Sequence, residues 1–324
     1  MRILVTGGAG YIGSVITDRL LEAGHSVIVL DNFSKGHRDA VAQGATLIEG
    51  DLLDSKRVLD VLARERVAAV IHMAASSLVG ESMTAPERYY RNNVIASLGL
   101  LDAMNESGVK LMVLSSTAAV YGEPQKQPIT EADPTAPSNA YGETKLTVER
   151  AMFWHHRAHG LRYASLRYFN AAGATATRGE CHDPETHLIP LVLKAVTPHA
   201  PHITVFGNDY PTRDGTCVRD YIHVSDLACA HVAALEALES GKLSDSIFNL
   251  GSGTGYTVGE VLEVSRKVTG KTVPMELGPR RDGDPAVLVA SAQHIRDVLG
   301  WVPTHSSLEE IVDSAWRWMS GHPC

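Results

Sequence analysis

The sequence predicts an α/β fold, a Rossmann-type doubly wound parallel sheet joined to a smaller α/β C-terminal substrate domain. Three observations carry that expectation. Short β-branched runs alternate with helix-period patterns through the first half, which is the rhythm of βαβ units. A glycine-rich turn, Thr6-Gly7-Gly8-Ala9-Gly10-Tyr11-Ile12-Gly13, stands between the first run and the first helical pattern. An acid, Asp31, ends the second run at about the 20-residue distance such a unit requires.

Taken in order, strands are expected at residues 3–5, 27–30, 46–49, 69–72, 111–115 and 163–167. Between the first two, Ile12, Val15, Ile16, Leu20 and Ala23 recur at helical spacing and Gly24 follows as a stop. Long helices over 86–107 and 139–159 are expected to cover the sheet, with outer faces available to a second subunit and hence to a homodimer. After Asn170 the chain turns His- and Pro-rich up to His202, with short strands expected at 203–206 and 247–250. The division is therefore a dinucleotide-binding domain over 1–170 and a mainly substrate-binding one over 171–324, with some chain crossing between them. A last helix carries the stripe Leu308, Ile311, Val312, Ala315 and Met319, and Ser306 with Glu309 fits a capping box at its start.

Composition limits the partners. At about 150 residues per domain, 324 residues make roughly two compact units. Lys plus Arg is 29 against 37 for Asp plus Glu, a formal charge of −8, so no broad positive field exists to hold nucleic acid. The longest apolar-leaning segment, 67–79, is interrupted by His72, Ser76 and Ser77 and is too short to cross a bilayer. The N-terminal residues run straight into an apolar stretch without a basic leader, so no export is expected. Cys181, Cys217, Cys229 and Cys324 show no paired spacing, which argues against a zinc knuckle or a disulfide framework and points to the cytoplasm. The 15 histidines show no ligand spacing, His155-His156 reading as a solvated helix face, so no metal is expected.

The glycine turn is suited to a dinucleotide pyrophosphate, which would meet backbone N–H groups and the positive end of the helix. Asp31 would accept the adenosine ribose hydroxyls and repel a 2′-phosphate, favouring NAD over NADP although Lys35, His37 and Arg38 lie close by. In Gly50-Asp51-Leu52 the acid either edges the adenine or caps the next helix; both readings stand. Tyr141 and Lys145, at i and i+4 on a helix, share one face. An ammonium near a phenol of ordinary pKa about 10 favours the phenolate and makes a proton-transfer pair. Ser115-Ser116-Thr117 places hydroxyls at the carboxyl edge of the sheet, where such folds bind ligands.

With these motifs in hand, the chain resembles the extended short-chain dehydrogenase/reductase family, and within it the UDP-galactose/UDP-glucose 4-epimerases. Residues 3–13, Tyr89-Tyr90-Arg91-Asn92-Asn93-Val94, Arg167-Tyr168-Phe169-Asn170, the stretch from Phe206 to Thr216, and Val218-Arg219-Asp220-Tyr221-Ile222-His223-Val224 carry the resemblance, which runs to Leu299-Gly300-Trp301. It implies that Tyr141 is the base at the sugar 4-hydroxyl, that Thr117 hydrogen-bonds that hydroxyl, and that Lys145 holds the nicotinamide ribose and lowers the tyrosine pKa. The C4 hydride would pass to tightly bound NAD, the 4-keto sugar would turn over while tethered through UDP, and the hydride would return to the other face. Cofactor contacts are implied for Gly7, Gly10, Tyr11, Ile12, Gly13, Asp31, Asn32, Asp51 and Leu52. Further ones fall on Met73, Ala74, Ala75, Asn92, Ser115, Tyr168 and the Tyr141/Lys145 pair. UDP-sugar contacts are implied for Asn170, Leu188, Phe206, Arg219, Arg281 and Asp284, beside Thr117 and Tyr141.

The chain departs from the family pattern at three positions. Ser77 replaces a lysine that reaches the cofactor in some epimerases, His187 an asparagine, and Leu288 a tyrosine that narrows the sugar pocket. The last change predicts additional activity on UDP-N-acetylhexosamines. Related dehydratases and decarboxylases place acids just after the threonine, where this chain has Ala118 and Ala119, so chemistry confined to C4 is favoured. A UDP-glucuronate 4-epimerase shares that C4 chemistry and stands as the alternative. A non-catalytic dinucleotide sensor would have lost Thr117, Tyr141 or Lys145, and all three are present.

Overall fold

The structure is a computed structural model, and it describes residues 1–197, 202–281 and 284–322. Strand β1 (Arg2–Thr6) leads through the glycine turn into α1 (Tyr11–Glu22), then β2 (Ser26–Asp31), β3 (Thr46–Glu49), α2 (Ser55–Arg64) and β4 (Ala69–His72). After α3 (Val79–Thr84) come α4 (Pro86–Tyr89), a π-helical turn Tyr90–Ile95 and α5 (Ala96–Ser107). Strand β5 (Leu111–Thr117), helix α6 (Ala140–His159) and strand β6 (Arg162–Tyr168) complete the first half. The predicted strands and the first helix are thus present, most of them one or two residues longer than expected.

Beyond them run β7 (Asn170–Ala172), α7 (Leu188–Ala195), β8 (Ile203–Phe206), β9 (Val218–His223), α8 (Val224–Glu239) and β10 (Asp245–Leu250). The chain continues through β11 (Gly255–Thr257), α9 (Val258–Thr269), β12 (Met275–Gly278), β13 (Val287–Leu288), α10 (Gln293–Leu299) and α11 (Leu308–Gly321).

Seven parallel strands form the main sheet in the order β10-β6-β5-β4-β1-β2-β3. All residues of β4 and β5 are buried, as strands covered on both faces must be. One face packs a cluster in which Val15, Ile16 and Leu20 of α1 meet Leu227, Leu235 and Leu238 of α8. The other packs Val58 and Leu62 of α2 with Leu100 and Met104 of α5 and Met152 of α6. The order reverses between β1 and β4, so the crevice at their carboxyl ends is the topological switch point where doubly wound sheets bind ligands.

The second half is not a separate lobe in sequence. Helix α8 and strand β10 return to the main sheet, β10 as its edge strand beside β6. Around them β7, β9, β11 and β13 form a small sheet, β8 pairs β12, and α7, α9 and α11 share a third cluster that includes Leu193, Val261 and Ile311.

Three local expectations need correction. The stretch 86–107 is not a uniform α-helix, because its π turn brings Asn93 against the loop after β4. There Asn93 Oδ1 accepts from the Ser76 N–H at 2.8 Å, and its Nδ2 donates to the Ser76 carbonyl at 3.0 Å and Thr144 Oγ1 at 3.1 Å. The last helix is capped by Ser307, whose Oγ accepts from the Glu310 N–H at 3.3 Å, because the Ser306 hydroxyl is taken by buried Asp226 at 2.7 Å. A full capping box does occur, unforeseen, at Thr257 and Glu260. Finally, Cys217 and Cys229 are free thiols but Cys181 is disulfide-bonded, since spacing does not report which cysteines a fold brings together. Among the described residues no helix is long and apolar enough to cross a membrane.

Candidate active site

The switch-point crevice is a cavity of about 380 Å³ that runs from Asp51 and Leu52, past the glycine turn, to Thr117, Tyr141 and Lys145. Its first section is backbone. Gly7 has φ +71°, and a β-carbon there would lie 2.7 Å from the Ala74 nitrogen; one on Gly13 would lie 2.2 Å from the Gly7 carbonyl oxygen. Glycine is required at both because the turn and the loop after β4 close to backbone contact. Gly10 occupies the N-cap of α1 and supplies no side-chain cap, and the first helical residues, Tyr11, Ile12 and Gly13, line the cavity.

Buried Asp31 is oriented by two backbone donors, Ala9 N–H to Oδ2 at 3.0 Å and Phe33 N–H to Oδ1 at 2.8 Å. Asn32 Nδ2 donates to Asp51 Oδ2 at 2.8 Å. The helix after β3 is capped by Asp54, not Asp51, which instead accepts from the Leu53 N–H at 2.8 Å and lines the cavity. A glycine cradle, uncapped helix N–H groups and an oriented acid at the end of β2 fit a dinucleotide with free ribose hydroxyls.

The second section is side-chain chemistry. Asn139 caps α6, accepting from the Gly142 N–H at 2.8 Å, so Tyr141 lies in the first turn and Lys145 one turn later. Lys145 is 3% exposed and its Nζ donates to the Ser115 carbonyl at 2.8 Å, tying the helix to β5. Burial lowers the ammonium to about 8, with Glu149 acting in the opposite sense. The Tyr141 phenol is pushed up to about 12 by burial, opposed by its hydrogen bond with Thr117.

Beneath this pair lies a buried network that the sequence reading missed. Glu149 accepts from the Ser116 hydroxyl at 2.5 Å and from Arg167 through Nε at 3.0 Å and a terminal nitrogen at 2.6 Å, with both ion-pair partners under 5% exposed. Arg167 also donates to Tyr121 Oη, which donates to Asn249 Oδ1 at 2.7 Å. Removing one partner of such a pair costs roughly 3–5 kcal/mol. The only sequence signal was an acid one turn after a reactive lysine, a spacing that usually marks a solvated face.

Two histidines are structural. His72 bridges Thr6 at 2.7 Å and Ser97 at 2.8 Å and is held neutral, burial and the Lys145 charge lowering it to about 3. His231 directs Nδ1 to the Leu227 carbonyl at 2.8 Å, so its Nε2 accepts from the Tyr168 hydroxyl at 2.5 Å.

Every residue expected to contact the cofactor lines this cavity, as do Thr117 and Asn170. Leu188, Phe206, Arg219, Arg281 and Asp284 do not; they lie in the second half of the chain. There Arg219 forms an ion pair with Asp284 and donates to the Val218 carbonyl at 2.8 Å and the Pro285 carbonyl at 2.9 Å. The Arg281 guanidinium stacks 3.9 Å from the centre of the Phe206 ring. His187 lines the cavity together with Glu180 and His182.

Residues 3–251 match the model of the NAD dependent epimerase/dehydratase family. The chain belongs to that family. It is 54% identical over 320 residues to a UDP-glucose 4-epimerase of Corynebacterium glutamicum, covering 99% of this chain and 96% of that one. Its fold superposes on a UDP-glucose 4-epimerase from Brucella ovis in complex with NAD, with a TM-score of 0.95 and 43% identity over 98% of this chain and 97% of that one. A UDP-glucose 4-epimerase from Bifidobacterium longum in complex with NAD+ and UDP gives a TM-score of 0.93 at 35% identity, covering 100% and 99%. These matches agree with the resemblance read from the motifs, and NAD is the cofactor of this epimerase/dehydratase family member.

Because a β-carbon at residue 13 would collide with the Gly7 carbonyl, Gly13→Ala is expected to leave protein that purifies with little or no NAD. Cofactor content of acid-quenched, purified variant measures this; wild-type NAD content would contradict the role given to the turn.

Proposed function

We propose that this chain is an NAD-dependent isomerase that interconverts UDP-galactose and UDP-glucose by inverting C4 of the sugar. The observation that carries the reading is the convergence of Thr117, Tyr141 and Lys145 in the same cavity as the glycine cradle and Asp31, with no proton-exchanging side chain at Ala118 or Ala119.

Bound NAD supplies the hydride acceptor and donor; the chain does the rest. Asp31, fixed by two backbone N–H groups, has lone pairs left for the ribose hydroxyls. The sugar 4-hydroxyl hydrogen-bonds Thr117 and gives its proton to the Tyr141 phenolate, and the phenol so formed returns it after the 4-keto sugar has turned over. Burial that raises the phenol to about 12 leaves little phenolate at neutral pH, so the positive charges brought to it, the buried Lys145 ammonium and the nicotinamide ring, decide how much base is present. Glu149 and Arg167 act through position, holding α6 against β5 so that Tyr141 and Thr117 stay in register.

The uridine diphosphate is held from the second half. Arg219 and Arg281 supply forked donors whose charge does not titrate, Phe206 offers an apolar face, and Asn170, Leu188 and Asp284 complete the contacts. An anchor on UDP leaves the hexose free to present either face. Leu288 lies partly buried against the cluster of Val120, Tyr121, Ile129 and Leu146, where a tyrosine would fill more space. UDP-N-acetylgalactosamine is therefore also a substrate in this reading.

The protein acts in the cytoplasm as a homodimer, a reading supported by Ile95, Leu98, Phe153 and Trp154, large apolar side chains exposed on α5, α6 and the turn before them. Sedimentation at micromolar concentration is expected to give twice the chain mass, and a monomer would overturn it.

Two assays test the chemistry, both followed by NMR of the sugar anomeric signals. Tyr141→Phe is expected to retain NAD and lose about 10²- to 10⁴-fold in kcat on UDP-galactose; turnover near wild type would exclude Tyr141 as the base. UDP-N-acetylgalactosamine is expected to turn over at a rate within about tenfold of UDP-galactose, one tenfold step being about 1.4 kcal/mol. Strict rejection would remove the argument from Leu288.

A further inference from the structure

The loop between β7 and α7 brings together four side chains that the mechanism leaves without a role. Glu180, His182, Glu185 and His187 each offer one ligand atom, all four atoms lying within 4.8 Å of one another. We propose that these residues bind one divalent transition-metal ion of the zinc class and that the ion pins this segment across the cofactor groove.

The donor chemistry fits. Two imidazoles and two carboxylates form an N/O set of the kind zinc takes. Tetrahedral bonds of about 2.0–2.1 Å put ligand atoms roughly 3.3 Å apart. The separations lie on both sides of that value: His182 Nδ1 to Glu180 Oε1 is 2.5 Å, His187 Nδ1 to Glu180 Oε2 is 4.0 Å, and His187 Nδ1 hydrogen-bonds Glu185 Oε1 at 2.7 Å, a bond whose proton the ion would replace. His182 Nδ1 is buried and finds no hydrogen-bond partner among the described residues, since its close approach to Glu180 lacks the alignment of a hydrogen bond. A neutral ring nitrogen this close to a carboxylate oxygen is unfavourable unless a proton or a metal ion is shared between them.

The surroundings are built for ligation. Glu180 Oε1 accepts from the N–H groups of Cys181 at 2.9 Å and His182 at 3.1 Å, and Glu185 Oε1 from those of Thr186 at 2.6 Å and His187 at 2.7 Å. Such outer contacts fix the carboxylates in advance. With neutral rings the cluster carries two negative charges, only 12% and 3% exposed at the Glu180 and Glu185 side chains. It also borders the turn that receives a pyrophosphate, and a dication would cancel the charge where repulsion is greatest.

The segment already straddles the groove. Lys35 Nζ donates to the Asp183 carbonyl at 2.7 Å and His37 Nε2 to the Cys181 carbonyl at 3.2 Å, while Tyr11, in the glycine turn, donates to the Gly173 carbonyl at 2.5 Å. Glu180, His182, Pro184 and His187 line the same cavity as Tyr11 and Lys35. An ion that fixes residues 180–187 would therefore tighten NAD binding without taking part in the sugar chemistry, so this inference stands or falls apart from the epimerase reading.

The test uses chelator-treated holoprotein titrated with Zn²⁺ and, in parallel, Co²⁺. One tightly held equivalent of zinc per chain is expected, with the visible d–d bands of tetrahedral cobalt. His182→Ala combined with Glu185→Gln is expected to lose both signals, while His155→Ala with His159→Ala on the α6 surface keeps them. Absent stoichiometric binding, equal binding by the His182/Glu185 variant, or only the spectrum of hydrated cobalt on the wild type would overturn the site; the last does so even if the variant fails to fold. NAD affinity measured with and without zinc is expected to differ by about 5-fold or more, and equal affinities would overturn the pinning.

Discussion

Parallel pairing of the seven main strands is the constraint from which the site follows. Parallel strands all end on one edge, and a right-handed crossover must return each chain segment to the opposite edge before the next strand begins. Residues far apart in sequence, Gly7 after β1, Asp31 at the end of β2, Thr117 at the end of β5 and Tyr168 at the end of β6, consequently meet along one line. Helix α6 adds Tyr141 and Lys145 from above, and it is bound to that line by the Lys145 contact with the Ser115 carbonyl and by the Glu149 to Arg167 pair below it.

This arrangement separates two tasks that one surface could not perform together. In the proposed reading the glycine turn and Asp31 would hold a dinucleotide through backbone geometry, in a place where a single added β-carbon collides with main chain. In the same reading the arginines of the second half would take a diphosphate whose sugar has to turn over. The Arg219 charge is met by Asp284 and the Arg281 guanidinium lies on the Phe206 face.

Much of this was legible in the sequence because it is local. Strand and helix periods, the glycine spacing and Asp31 depend on a few neighbours, and the structure follows them to within a residue or two in the first half. What escaped the sequence depends on long-range competition. Ser306 has the chemistry of a cap but is drawn to Asp226, leaving the cap to Ser307. Strand β10 rejoins the first sheet because β6 offers an unpaired edge, which composition after residue 170 does not reveal. The carboxylate of Glu149 reads as a helix-surface charge until Arg167 arrives from β6 to neutralise it. The Glu180 to His187 group lies on a loop, where no period exists to announce that four ligand atoms converge.

At the centre of the account is a hydrogen that leaves C4 and returns to C4 within the switch-point cavity without exchanging with water. UDP-galactose carrying deuterium at C4, incubated with the purified protein and no added cofactor, tests this most directly. The account predicts UDP-glucose with the deuterium fully retained at C4, read by NMR and mass. Washout of the label into solvent, or solvent deuterium entering C4 in the reverse labelling, would contradict it.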